Sequence, residues 1–123
     1  MTKKITVLGS TGSIGRQTLD VISSHPEEMT LFGLSARSDI TSLIEQAILY
    51  RPQIVASETP FDPSLLPDGT ETIFGEGAST VLAARAEADV VVNGVSGFSA
   101  LAPLLAALEQ GKRVALANKE SIV

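Results

Sequence analysis

The sequence predicts an α/β domain built on a doubly wound parallel sheet, and three observations carry that expectation. Short β-branched runs alternate with amphipathic helical stripes. A glycine-rich turn joins the first run to the first stripe. The length of 123 residues, with 44% hydrophobic and 19% charged residues, suits one globular domain with a sizeable core. Strands that alternate with helices of this length form βαβ units, whose crossovers are right-handed.

The first strand is Ile5 to Leu8, stopped at Gly9. A helix follows from Ile14 to about Ser24, with Ile14, Leu19, Val21 and Ile22 expected on its sheet-facing side and Pro26 ending it. Thr30 to Ala36 reads as the second strand. Ile40, Leu43, Ile44, Ala47 and Ile48 form the clearest helical stripe, which Ser38 or Asp39 would cap. Ile54 to Ala56 is a third strand. The proline-rich stretch from Ser57 to Gly69 is a surface connection.

Thr72 to Phe74 reads as a short extra strand, followed by a helix striped by Ala78, Val81, Leu82 and Ala86. Val90 to Val92 is expected as a strand buried on both faces. Leu101, Leu104, Leu105 and Leu108 stripe a further helix, which Gly111 closes before a last strand from Arg113 to Leu116. The chain reaches Val123 soon after that strand without a closing helix. It is therefore expected to be one domain, residues 1–123, of a longer protein, truncated before a catalytic domain.

A net charge of −5 argues against a general nucleic-acid or acidic-membrane binder. The absence of cysteine excludes disulfides, thiolate metal sites and thiol nucleophiles. No apolar run is long enough to span a bilayer, and the N-terminus carries no signal-peptide core, so a cytoplasmic location is expected. No acidic or histidine cluster at a strand end offers a metal site. His25, before Pro26, reads as a helix C-terminal residue rather than a base.

The turn Gly9-Ser10-Thr11-Gly12-Ser13-Ile14-Gly15 lies between strand and helix, where a dinucleotide-binding fold holds its pyrophosphate. Gly9 permits a tight exit from the strand, Gly12 a close approach of ligand to backbone, and Gly15 close packing of helix on strand. The N–H groups of Thr11 to Ile14 would face the anion at the helix N-terminus. The spacing is GxxGxxG rather than GxGxxG, and no GxxxxGK[ST] phosphate loop occurs. A Rossmann-like dinucleotide-binding domain follows from this placement.

Domains selective for NAD carry an acidic residue at the second strand's end. Here that end reads Ala36-Arg37-Ser38, so Arg37 and Ser38 are expected to hold a 2′-phosphate, favouring NADPH. Asp39 is explained as a helix cap. Asn93-Gly94-Val95-Ser96-Gly97 and Ala117-Asn118-Lys119-Glu120-Ser121 stand at two further strand ends, where ligands of such folds lie.

With these residues in view, the sequence resembles the N-terminal NADPH-binding domain of the 1-deoxy-D-xylulose 5-phosphate reductoisomerases. ITVLGSTGSIGRQTLDVI, LSARS, NGVSG and LANKES carry the resemblance across almost the whole chain. The family rearranges 1-deoxy-D-xylulose 5-phosphate and reduces the product with NADPH to 2-C-methyl-D-erythritol 4-phosphate, using Mg²⁺ or Mn²⁺, in isoprenoid-precursor synthesis.

The resemblance implies that Thr11, Gly12, Ser13 and Ile14 bind the pyrophosphate. Arg37 and Ser38 fall at the 2′-phosphate position, where many members have Gly-Lys-Asn, and Asp39 departs from that triplet. Asn118 and Glu120 match cofactor-contacting positions, and Lys119 matches a lysine that contacts the sugar-phosphate substrate. The metal ligands, lid and substrate-phosphate residues are expected outside this chain, which by itself would be inactive, and the full-length enzyme is expected to be a homodimer. The alternatives are the cofactor domain of a homoserine- or aspartate-semialdehyde-type dehydrogenase and a free-standing dinucleotide-sensing module.

Overall fold

The computed structural model describes residues 2–94 and 113–116. Their elements in chain order are β1 (Lys3–Leu8), α1 (Ser13–Ser24), β2 (Met29–Ala36), α2 (Ile40–Tyr50), β3 (Ile54–Ser57), a 3₁₀ turn (Pro63–Leu65), β4 (Glu71–Phe74), α3 (Ala78–Ala83), β5 (Val90–Asn93) and β6 (Arg113–Leu116). The described strands form one six-stranded sheet in the order β4-β3-β2-β1-β5-β6. Every pairing is parallel. The expected doubly wound α/β architecture is therefore present.

The order reverses between β1 and β5, and ligands of open α/β sheets bind outside the strand ends at such a reversal. The expected helix from Leu101 to Leu108 and its Gly111 cap lie outside the described residues.

Two apolar layers sandwich the sheet. Ile5, Val7, Leu34 and Val55 face Leu19 and Ile22 of α1 and Leu43 and Ala47 of α2. Leu8, Phe32, Ile54 and Val91 face Ala78, Leu82 and Ala83 of α3. The register of β1 on β2 slips between Ile5 and Thr6, which pair with Leu31 and Gly33. Phe32 is thus the extra residue of a bulge. A Cβ on Gly33 would stand 2.8 Å from Leu82 Cδ1, so the glycine lets α3 pack close.

Four expectations about helix and strand faces need correction. Ile14 and Val21 are 36% and 49% exposed, because α1 turns Gly15, Leu19 and Ile22 inward. Ile48 is exposed while Gln46 takes a place in the buried face of α2. Val81 and Ala86 are also exposed: α3 ends at Ala83, leaving Ala86 in the loop beyond it. Val91 and Asn93 are buried, whereas Val90 and Val92 pack only partly buried against the α1-side core. Asp39 supplies the cap of α2, its carboxylate accepting from the Ser42 N–H at 3.2 Å.

Candidate functional site

The turn after β1 forms the first part of the site. Gly9 takes a left-handed φ of 67°, which reverses the chain out of the strand. Ser10 then dives into the protein and is fully buried. Its N–H donates to the Ser35 carbonyl at 2.9 Å, stitching the turn to the end of β2. A Cβ on Gly15 would lie 2.4 Å from the Gly9 carbonyl oxygen and 2.6 Å from Ser10 Cα, so only glycine lets α1 sit this close to the turn.

Gly12 is different. Its φ of −77° and ψ of 173° suit any residue, and among the described residues an added Cβ would meet only the Gly9 carbonyl oxygen, at 3.6 Å. The described residues leave space above Gly12, and the backbone there does not require a glycine. Gly12 is also the N-cap of α1 and supplies no side-chain acceptor, and the first turn of the helix contains no acidic residue. The helix therefore presents N–H groups and the positive end of its dipole to that space, an arrangement suited to an anion. Thr11, Gly12, Ser13 and Ile14 all stand at this end.

The second part lies at the adjacent strand tips. Ala36 of β2 pairs in register with Ser57 of β3, so Arg37 and Glu58 leave the sheet side by side. Arg37 Nε donates to Glu58 Oε2 at 2.8 Å, with side chains 69% and 33% exposed. Thr59 donates to the Arg37 carbonyl through both its N–H and its hydroxyl. Ser38 is exposed beside them. β2 itself ends without a carboxylate, as expected, but its neighbour brings one to Arg37.

On the far side of the turn, Gly94 at the end of β5 donates to the Leu8 carbonyl at 2.8 Å. A Cβ there would come within 3.0 Å of that oxygen, which makes Gly94 a packing glycine. Val95, Ser96, Gly97, Asn118, Lys119 and Glu120 lie outside the described residues. His25 is the C-cap of α1, its Nδ1 2.9 Å from the Val21 carbonyl oxygen. Among the described residues no group of His, Asp or Glu is placed to hold a metal ion, and no helix is long and apolar enough to cross a membrane.

Sequence reasoning missed Glu58, Arg16 and Gln46. Glu58 becomes visible once β2 and β3 are paired in register. Arg16 donates to the Thr11 carbonyl at 2.9 Å and to Ser42 Oγ at 3.1 Å, tying the turn to α2. A polar residue in a helical stripe reads as solvated, so Gln46 gave no signal.

Known proteins match this chain closely. A family model described as 1-deoxy-D-xylulose 5-phosphate reductoisomerase matches residues 5–123. The reductoisomerase of Thermomicrobium roseum is 45% identical over 119 residues, which cover 97% of this chain and 31% of that protein. The chain thus spans about a third of the length of such relatives. Among solved structures, a DOX-P reductoisomerase in complex with magnesium superposes with a TM-score of 0.88 at 30% identity, covering 99% of this chain and 32% of the other. The Zymomonas mobilis enzyme in complex with NADPH gives a TM-score of 0.84 at 33% identity, covering 99% and 33%. An aspartate semialdehyde dehydrogenase with NADP from Candida albicans is more distant, at a TM-score of 0.55 and 25% identity over 97% of this chain and 30% of the other.

Proposed function

The chain belongs to the 1-deoxy-D-xylulose 5-phosphate reductoisomerase family, and from that premise we propose that residues 1–123 form the NADPH-binding domain of such an enzyme. The observation that carries the reading is the uncapped N-terminus of α1 with open space above Gly12. In this reading Thr11, Ser13 and Ile14 hold the pyrophosphate through backbone N–H groups, and Gly12, whose own N–H donates to the Gly9 carbonyl at 3.3 Å, lets it approach the backbone. Arg37 and Ser38 hold the 2′-phosphate, with a guanidinium suited to bidentate anion contacts. Asn118 and Glu120 contact the cofactor, and Lys119 contacts the sugar-phosphate substrate.

NADPH supplies the hydride that reduces the rearranged aldehyde to 2-C-methyl-D-erythritol 4-phosphate. The role of this chain is to fix the cofactor at the β1 end of the crevice and to present Lys119 to 1-deoxy-D-xylulose 5-phosphate. The divalent cation, Mg²⁺ or Mn²⁺, takes its ligands from outside residues 1–123, and the complete enzyme is a cytoplasmic homodimer. The semialdehyde-dehydrogenase alternative is supported only by the more distant structural match.

Calorimetric titration of the chain with NADPH and NADH tests the cofactor assignment. Tighter binding of NADPH is expected, and equal affinities would overturn the role of Arg37 and Ser38. In the complete enzyme, Lys119→Ala should lower turnover severely at nearly unchanged NADPH affinity. A normal steady-state rate for that variant would remove Lys119 from the substrate site.

A further inference from the structure

Behind the glycine turn sits a buried polar pair that contact with the cofactor does not explain. Gln46, in the middle of α2, is only 6% exposed. Its Nε2 donates to the Ser10 carbonyl at 2.9 Å, and its Oε1 accepts the Ser10 hydroxyl at 2.8 Å. With the Ser10 N–H already given to Ser35, every polar group of Ser10 is bound to the protein interior.

This fixes more than Ser10. A trans peptide is planar, with its N–H pointing opposite to its C=O. Holding the Ser10 carbonyl inward on Gln46 therefore turns the Thr11 N–H the opposite way, away from Gln46, and among the described residues that N–H has no hydrogen-bond partner. The following peptide is held as well, because Arg16 binds the Thr11 carbonyl. Burying an amide side chain in an otherwise apolar helix face is costly unless both its ends are bonded, and here both are bonded to one residue of the turn.

We propose that Gln46 is a positioning residue for the dinucleotide pyrophosphate: it does not touch the ligand but sets the direction of the Thr11 N–H that does. This inference rests on the NADPH-binding reading. An apolar side chain at position 46 would leave the Ser10 carbonyl free to rotate and would unaim that donor.

The test compares two ligands on this chain, NADPH and adenosine 2′-monophosphate, which lacks the pyrophosphate. Gln46→Leu should weaken NADPH about tenfold, the scale of one to two lost hydrogen bonds, while leaving adenosine 2′-monophosphate within about twofold. Ser10→Ala keeps the carbonyl bond and loses only the hydroxyl bond, so it should cost NADPH about threefold. The double variant should bind no more weakly than Gln46→Leu alone. If Gln46→Leu does not fold, Gln46→Met, which keeps the length of the side chain and loses both bonds to Ser10, decides, and an unchanged NADPH affinity in it would overturn the proposal. Equal loss of both ligands, or of neither, in a folded Gln46→Leu would do the same while leaving the cofactor reading intact. A wild-type chain that binds neither ligand would overturn the cofactor reading and this role with it.

Discussion

The turns after β1 and β2 both end a strand at the same sheet edge, yet they are held by different means. Behind the first, Ser10 is fully buried and bonded to Gln46 and Ser35, and Gly15 packs with no room for a methyl group. At the second, Arg37 stands 69% exposed on one ion pair. In the proposed site the first turn holds the pyrophosphate common to all dinucleotides, and the second reads the phosphate that distinguishes NADPH. The common contact is built into the core, whereas the discriminating contact is a surface feature that substitution can alter at little cost to the fold.

The largest expected effect tests the rigid turn. Gly15→Ala places its Cβ against backbone atoms of Gly9 and Ser10 that have no rotamer to change, so α1 must move off the strand. Overpacking of this kind costs about 3 kcal/mol or more, and urea unfolding of the variant should show it. A variant of near wild-type stability would mean that the turn is softer than its packing implies. Gly12→Val comes next. Among the described residues its side chain meets no close neighbour, so circular dichroism should stay native while NADPH binding falls by about 100-fold or more, the pyrophosphate's approach being blocked. Native-like binding in that variant would remove the anion from the turn.

The same contrast explains how much was legible beforehand. The strands were, because β-branched runs such as Val90-Val91-Val92 and Ile54-Val55-Ala56 have few other uses in a globular chain. The glycine turn was legible from its place between strand and helix. Helix faces were read less well: the hydrophobic stripe put Ile14 and Val21 inward, whereas α1 is seated on Leu19, Ile22 and Gly15, the last of which the turn motif had already marked for close packing. A stripe cannot register a buried amide, which hid Gln46. Glu58 depended on a pairing between strands that are separated in sequence by α2, and no local pattern announces that register.

At the second turn, Arg37→Ala should shift the preference for NADPH over NADH without unfolding the protein. A charge-assisted bond is worth about 1.5–3 kcal/mol, and exposure places this one at the low end, roughly tenfold in relative affinity. Paired titrations with the two nucleotides check it, and an unchanged ratio would move the 2′-phosphate contact to other residues.

The smallest expected effect is that of Glu58→Gln, and it separates the two turns most finely. An ion pair this exposed contributes only about 0–1 kcal/mol, so the unfolding midpoint should barely move, in contrast to Gly15→Ala. The nucleotide ratio should move in the direction opposite to Arg37→Ala. Glu58 holds Arg37 through Nε alone, and the glutamine oxygen can keep accepting that bond. What disappears is a negative charge at the place where a 2′-phosphate is proposed to bind. NADPH affinity should therefore rise by about two- to threefold at low ionic strength and return toward wild type as salt screens the site, while NADH affinity stays constant. A fall in NADPH affinity would show instead that Glu58 acts chiefly to hold the guanidinium in place, making this turn a positioned site like the first.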